Sequence, residues 1–267
     1  MSSSSQLAPV LFIPHGGGPL PLLGEPSHAK LTQFLQKLPD TLPEPDAIVL
    51  VSAHWEESVA TITSGENPEL IYDYSGFPAE SYQLQYPAPG HPELANKLQM
   101  LLRDANIDAE LTATRGYDHG MFIPLMLMYP KANIPCVQLS LLNHLDAAQH
   151  IAIGKALRSL REQNILILGS GFSFHNMQAF RKLIAKDEGN QQFETWLIDT
   201  TTSDDFDYQT AETKLIDWQQ APHAQYCHPR EEHLLPLHVC FGAGNGKAKT
   251  LFADFVLNKK TCALLWA

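Results

Sequence analysis

The chain is poor in cysteine and in positive charge, and each shortage excludes a class of protein. Cys136, Cys227, Cys240 and Cys262 are the only cysteines in 267 residues. No C-x-x-C pair occurs among them, so neither a zinc ribbon nor a dithiol redox motif is present. Their scatter fits reduced thiols better than a disulfide framework. Lys and Arg number 18 against 29 Asp and Glu, for a formal charge of −11. That balance argues against nucleic acid or an anionic membrane surface as a partner. Long hydrophobic runs are missing as well. The most apolar stretch, 121–129, is too short to span a bilayer and contains Pro124. The opening residues carry no basic cluster and no long apolar segment, so no secretory leader is read and a cytoplasmic location is expected.

Two catalytic signatures are absent too. No G-x-G-x-x-G occurs, and the glycines after His15 are not followed by Lys-Ser/Thr, which weakens a nucleotide-binding reading. Neither Ser170 nor Ser173 sits in G-x-S-x-G, so a serine-hydrolase elbow is unsupported.

Short apolar runs alternate with segments of helical period, the pattern of α/β layering. Strands are predicted over 8–13, 47–53, 58–63, 109–113, 134–140, 164–168 and 249–257. Helices are predicted over 28–38, 92–105, 145–163, 190–202, 207–219 and 230–242. Pro92 and Pro229 each suit a first helical position. The Pro-, Gly- and Tyr-rich stretch 64–90 reads as a long ordered loop that could wall a site. No internal repeat or linker is visible. The expectation is one α/β domain over 1–267, with a central mostly parallel or mixed sheet flanked by helices.

Histidine is plentiful, at 12 residues. His15 follows VLFIP, His54 follows IVLVSA, His175 follows ILILGSGFSF, and His233 lies in HPREEHLLPL. Chain leaving the carboxyl ends of parallel strands converges on one crevice, the usual ligand site of an open α/β sheet. Neutral imidazole is the commonest protein metal ligand, so the pattern points to a metal centre there. His233 is read about one turn into the helix opened by Pro229, and Pro236 is expected to kink that helix. Glu231 or Glu232 in its place would give a set of two His and one carboxylate. His175 fits a fourth ligand or a general acid/base, and His119 a substrate contact. His228 and His238 are read as structural, and Asp118 as pointing away from His119.

In order along the chain, HGGGP, VSAHW, YDHGMF, PCVQLSL, GSGFSFHN and PREEHLLPL resemble the class III extradiol ring-cleavage dioxygenases. The similarity is to the 4,5-DOPA extradiol type, related to the catalytic subunit of protocatechuate 4,5-dioxygenase. The resemblance implies one metal ion held by His15, His54 and His233. It implies His175 as the acid/base, with entry into the metal shell when zinc replaces iron, and His119 as a second active-site histidine facing substrate. Fe(II) is expected for activity, Zn(II) as an alternative occupant, and a catechol with O2 as the reactants. HGGGP departs from the commoner HGSP, and GFSFHN also departs before its histidine, leaving the particular catechol open. Two other readings stand beside it: a zinc hydrolase on the same histidines, and a non-catalytic binding protein of the same fold. The oligomeric state is not specified.

Overall fold

Strands buried on both faces read as unbroken apolar runs, and the longest such runs of this chain form the middle of one sheet. The computed structural model describes residues 7–181 and 186–267. Residues 1–6 of the segment read for a leader lie outside them. The strands are β1 (Val10–Pro14), β2 (Ala47–Glu57), β3 (Ala60–Thr63), β4 (Ala109–Thr112), β5 (Cys136–Leu142), β6 (Ile165–Gly171), β7 (Lys249–Val256) and β8 (Lys259–Trp266). They form a single eight-stranded sheet in the order β4-β3-β5-β2-β6-β1-β8-β7. The β5-β2-β6-β1 core is parallel, whereas β3 meets β5, and β8 meets β1 and β7, antiparallel. The sheet is therefore mixed.

The helices are α1 (Ala29–Lys37), α2 (Pro92–Asp104), α3 (His119–Met128), α4 (Ala147–Leu157), α5 (Met177–Phe180), α6 (Glu188–Thr202), α7 (Tyr208–Ile216), α8 (Ala224–Cys227) and α9 (Leu235–Gly244). Pro92 opens α2, with the His91 side chain accepting from the Leu94 amide. Helix α9 is apolar and buried along its whole length, packing on α4 and on β6. Among the described residues, no helix is long and apolar enough to cross a membrane.

Four departures from the sequence expectation have physical causes. β8 (KKTCALLW) was not expected, because Ala and Leu favour no strand until β1 and β7 pair with both its edges. α3 (HGMFIPLMLM) was also missed. All its residues but Met126 are buried, so it shows no amphipathic period. β2 runs four residues beyond the predicted end at 53, through an irregularity in its pairing with β5 between Val51 and Glu56. The helix expected over 230–242 begins only at Leu235. His233 accordingly sits in the turn before α9, and Pro236 occupies the first helical turn rather than a kink. A proline is free of cost there because that amide has no intrahelical partner.

Candidate metal centre and active site

Three adjacent parallel strands, β2, β6 and β1, aim their carboxyl ends at one cavity of about 330 Å³. His15 is the first residue past β1, held by its amide donating to the Gly171 carbonyl at 3.1 Å. His54 lies within the β2 irregularity, where the four residues 52–55 of β2 are set against Ser140 alone of β5. Such bulges commonly re-aim a side chain beside a site. His233 is brought in by close backbone contact, its carbonyl accepting from the Phe172 amide at 2.9 Å. A Cβ on Gly171 would stand 2.2 Å from that carbonyl, so only glycine lets the turn dock there.

The three side chains converge through one kind of atom. Nε2 of His54 is 3.1 Å from Nε2 of His15 and 3.3 Å from Nε2 of His233. The opposite ring nitrogens of two of them are tied outward. Ser170 Oγ donates to the Gly120 carbonyl, so it accepts from His15 Nδ1, 3.1 Å away. His233 Nδ1 donates to Glu232 Oε1 at 2.9 Å. Each proton therefore sits on Nδ1, and each Nε2 presents a bare lone pair to the others. Burial, reinforced by the neighbouring imidazoles, pushes His15 and His233 well below the ordinary imidazole value and His54 down to about 3. Neutral lone pairs this close repel unless a cation lies between them. Nitrogens bound tetrahedrally at about 2.0–2.1 Å stand roughly 3.3 Å apart, the spacing seen here. The donor set fits a metal ion.

Two more histidines flank this trio. His175 stacks on His233 with ring centroids 3.4 Å apart, and its Nδ1 lies 2.8 Å from the same Glu232 Oε1. His119 heads α3, with both its amide and its Nδ1 donating to Asp73 Oδ1, at 3.0 and 2.8 Å. Its ring centroid is 3.9 Å from that of His54. Burial alone would raise the Asp73 and Glu232 carboxyls, but hydrogen bonds from His119 and His175 outweigh it and hold both below the usual carboxylate value.

Beneath this layer, Asp118 is fully buried, accepts from Ser52 Oγ at 2.6 Å and also accepts from Gln138. Ser52 Oγ in turn accepts from the His54 amide at 3.1 Å, so Asp118 braces the bulge and points away from His119, as the sequence implied. Gly120 leaves room for this brace, since a Cβ there would meet Ser52 Oγ at 2.5 Å.

All five histidines expected at the site line the cavity. The remaining candidates do other things. Glu232 bonds Nδ1 of both His233 and His175 and does not join the three converging Nε2 atoms, and Glu231 supplies its carbonyl to the Leu234 amide. His228 and His238 are buried, bonded to the carbonyls of Ser173 and of Leu215 and Leu234. Asp73 escaped the sequence reading, because it lies in the irregular 64–90 loop with no motif around it. Its only signal was that loop's composition, and Tyr74 and Phe77 of the same loop do wall the cavity.

A parallel-strand crevice holding an imidazole trio defines a metal-dependent enzyme of α/β fold. The family described as the catalytic LigB subunit of aromatic ring-opening dioxygenase matches residues 9–264. The chain belongs to that family, the metal-dependent extradiol ring-cleaving dioxygenases, which act on a small molecule together with O2. It is 40% identical to the dioxygenase tasH of Hapsidospora irregularis, over 93% of this chain and 82% of that protein. It is 36% identical to the 4,5-DOPA dioxygenase extradiol of Mirabilis jalapa, over 90% and 88% of the two chains. The protein of the same name from Escherichia coli K12 is also 36% identical, over 91% and 88%. A crystal structure of an uncharacterized Escherichia coli K12 protein superposes with a TM-score of 0.79 at 30% identity, covering 97% of this chain and all of that one.

Proposed function

We propose that the whole chain acts as one catalytic domain in which His15, His54 and His233 hold a single Fe(II) ion and a catechol is cleaved beside one of its hydroxyls. The observation that carries this is the convergence of three Nε2 atoms within 3.1 and 3.3 Å, with Nδ1 of His15 and His233 bonded outward. Iron is favoured over zinc because ring opening by O2 needs a metal that exchanges electrons, which Zn(II) does not. Bound Fe(II) would acidify the catechol hydroxyls and hold ring and O2 together.

The protein's own groups supply the proton handling. His175 donates Nδ1–H to Glu232, which leaves Nε2 as the free base on the cavity side. An imidazole so placed takes a proton from a catechol hydroxyl and returns it later, as a positioned general base and acid. The Glu232 carboxylate at 2.8 Å stabilises the charge that His175 then carries. His119 is fixed in the same manner by Asp73, so its Nε2 accepts a hydrogen bond from the second hydroxyl and orients the ring. Phe77, Tyr74 and Phe172 line the same cavity and limit the access of water.

Oxygen uptake and the visible spectrum, followed on protein stripped of metal and reloaded anaerobically with Fe(II) or Zn(II), test this reading. Stoichiometric O2 consumption with a yellow ring-opened semialdehyde, in the Fe(II) sample only, is the expected result. Equal turnover with Zn(II) would overturn the assignment of iron.

A further inference from the structure

Beyond the five histidines, the cavity wall is apolar: Leu20, Phe77, Phe172, Met177, Phe180 and Leu257 line it, with the glycines after His15 and Tyr74. No Lys, Arg, Asp or Glu among the described residues belongs to that lining. The Tyr74 hydroxyl is already spent, donating to the Ser81 carbonyl at 2.5 Å, and the Gly17 amide donates to His28 Nε2 at 3.0 Å. The nearest carboxylates, Asp73 and Glu232, stand behind the histidines, bonded to Nδ1 of His119 and of His175. A carboxylate on the substrate would lose its hydration against this wall and find no cationic side chain among the described lining residues.

One wall residue is placed at a backbone penalty. Leu257 and Asn258 join β7 to β8 in a two-residue turn, with φ of +51° and +62°. That is the type I′ geometry that favours Asn or Gly at both positions and disfavours leucine. The leucine nevertheless occupies it, and its Cδ1 would lie 3.3 Å from a Cβ built on Gly17. Met177, also in the wall, is 57% exposed, which extends the apolar surface outward from the cavity.

We infer that the protein selects a catechol carrying an uncharged, apolar substituent, with Leu257 as a specificity-determining residue of the wall that receives it. This rests on the ring-cleavage reading, so the test separates the two. Isopropyl and carboxylate groups are similar in shape and differ in charge, so 4-isopropylcatechol and protocatechuate form the decisive pair, with L-DOPA as a zwitterionic third. With Fe(II)-loaded protein, kcat/KM is expected to be about tenfold or more higher for 4-isopropylcatechol. Calorimetric binding to the Zn(II)-loaded protein is expected to show the same order. Protocatechuate or L-DOPA handled equally well or better would overturn the inference. Absence of turnover with every catechol, but with the apolar preference kept in binding, would sustain it and overturn ring cleavage instead.

Leu257→Asn relieves the turn while removing the apolar contact. It should unfold at the same or a higher temperature yet lose severalfold of the discrimination. Discrimination unchanged in that folded variant would remove Leu257 from the role.

Discussion

At the scale of single residues, the groups proposed to hold the metal are separate from the groups proposed to move protons. His54→Ala removes the nitrogen shared by both short Nε2 contacts. It is expected to abolish stoichiometric metal binding, read by elemental analysis of dialysed protein. His175→Ala leaves the trio whole. It should retain metal while kcat falls by roughly 10²–10⁴-fold, the usual worth of a positioned acid/base. Normal turnover in that variant would end the proton role. Glu232→Gln acts on both sets, because one oxygen serves His175 and His233 alike. Outer partners of metal-bound histidines are typically worth about 10–100-fold in affinity. A chelator competition should show a loss of that size, and an unchanged affinity would mean that the Nδ1 bond does not orient His233.

At the scale of elements, the β7–β8 hairpin is held to the rest of the fold by a buried charge. Lys259 is 1% exposed and pairs with Asp187, the residue that caps α6 by accepting from the Asn190 amide. Tyr226 donates to the same carboxylate at 2.5 Å, and the Lys259 ammonium lies 5.0 Å from the centre of the Phe174 ring. Lys259→Met would leave Asp187 buried without its cation, and breaking such a pair costs about 3–5 kcal/mol. Urea denaturation measures this, and a loss below about 1 kcal/mol would show that solvent reaches the pair. β8 itself shows why the hairpin was only half legible. β7 was expected nearly in place, but β8 draws its strand character from its partners on both edges.

For the molecule as a whole, pH dependence follows from one interior acid. Glu194 on α6 is fully buried, and burial raises its carboxyl to about 7, against partial relief from Cys262 and Ser173. Between the ordinary value of 4.5 and about 7, the native protein keeps a proton that the unfolded chain releases. Stability from this group is complete below that window and is lost as pH rises through it. Glu194→Gln should flatten the decline, so the urea midpoints of variant and parent should diverge between about pH 5 and pH 8. Parallel midpoints across that range would remove Glu194 from the balance.

The sequence by itself determined the α/β layering, the central strands and the five histidines of the cavity. Each of those signals is local: a continuous apolar run, a proline at a helix start, a histidine just past a strand. The tertiary structure decided what depends on partners far apart in the chain. Asp73 reaches His119 across 46 residues, and Ser170 meets His15 across 155. Glu232 stands next to His233, yet its bond to two histidines at once appears only when His175 stacks on the same side. The misplaced start of α9 has the same origin, because the turn carrying His233 is held by its carbonyl contact to the end of β6. A hydrogen-bond partner that is distant in sequence leaves no periodicity to read, so tautomer, ligand choice and cavity wall belong to the folded chain alone.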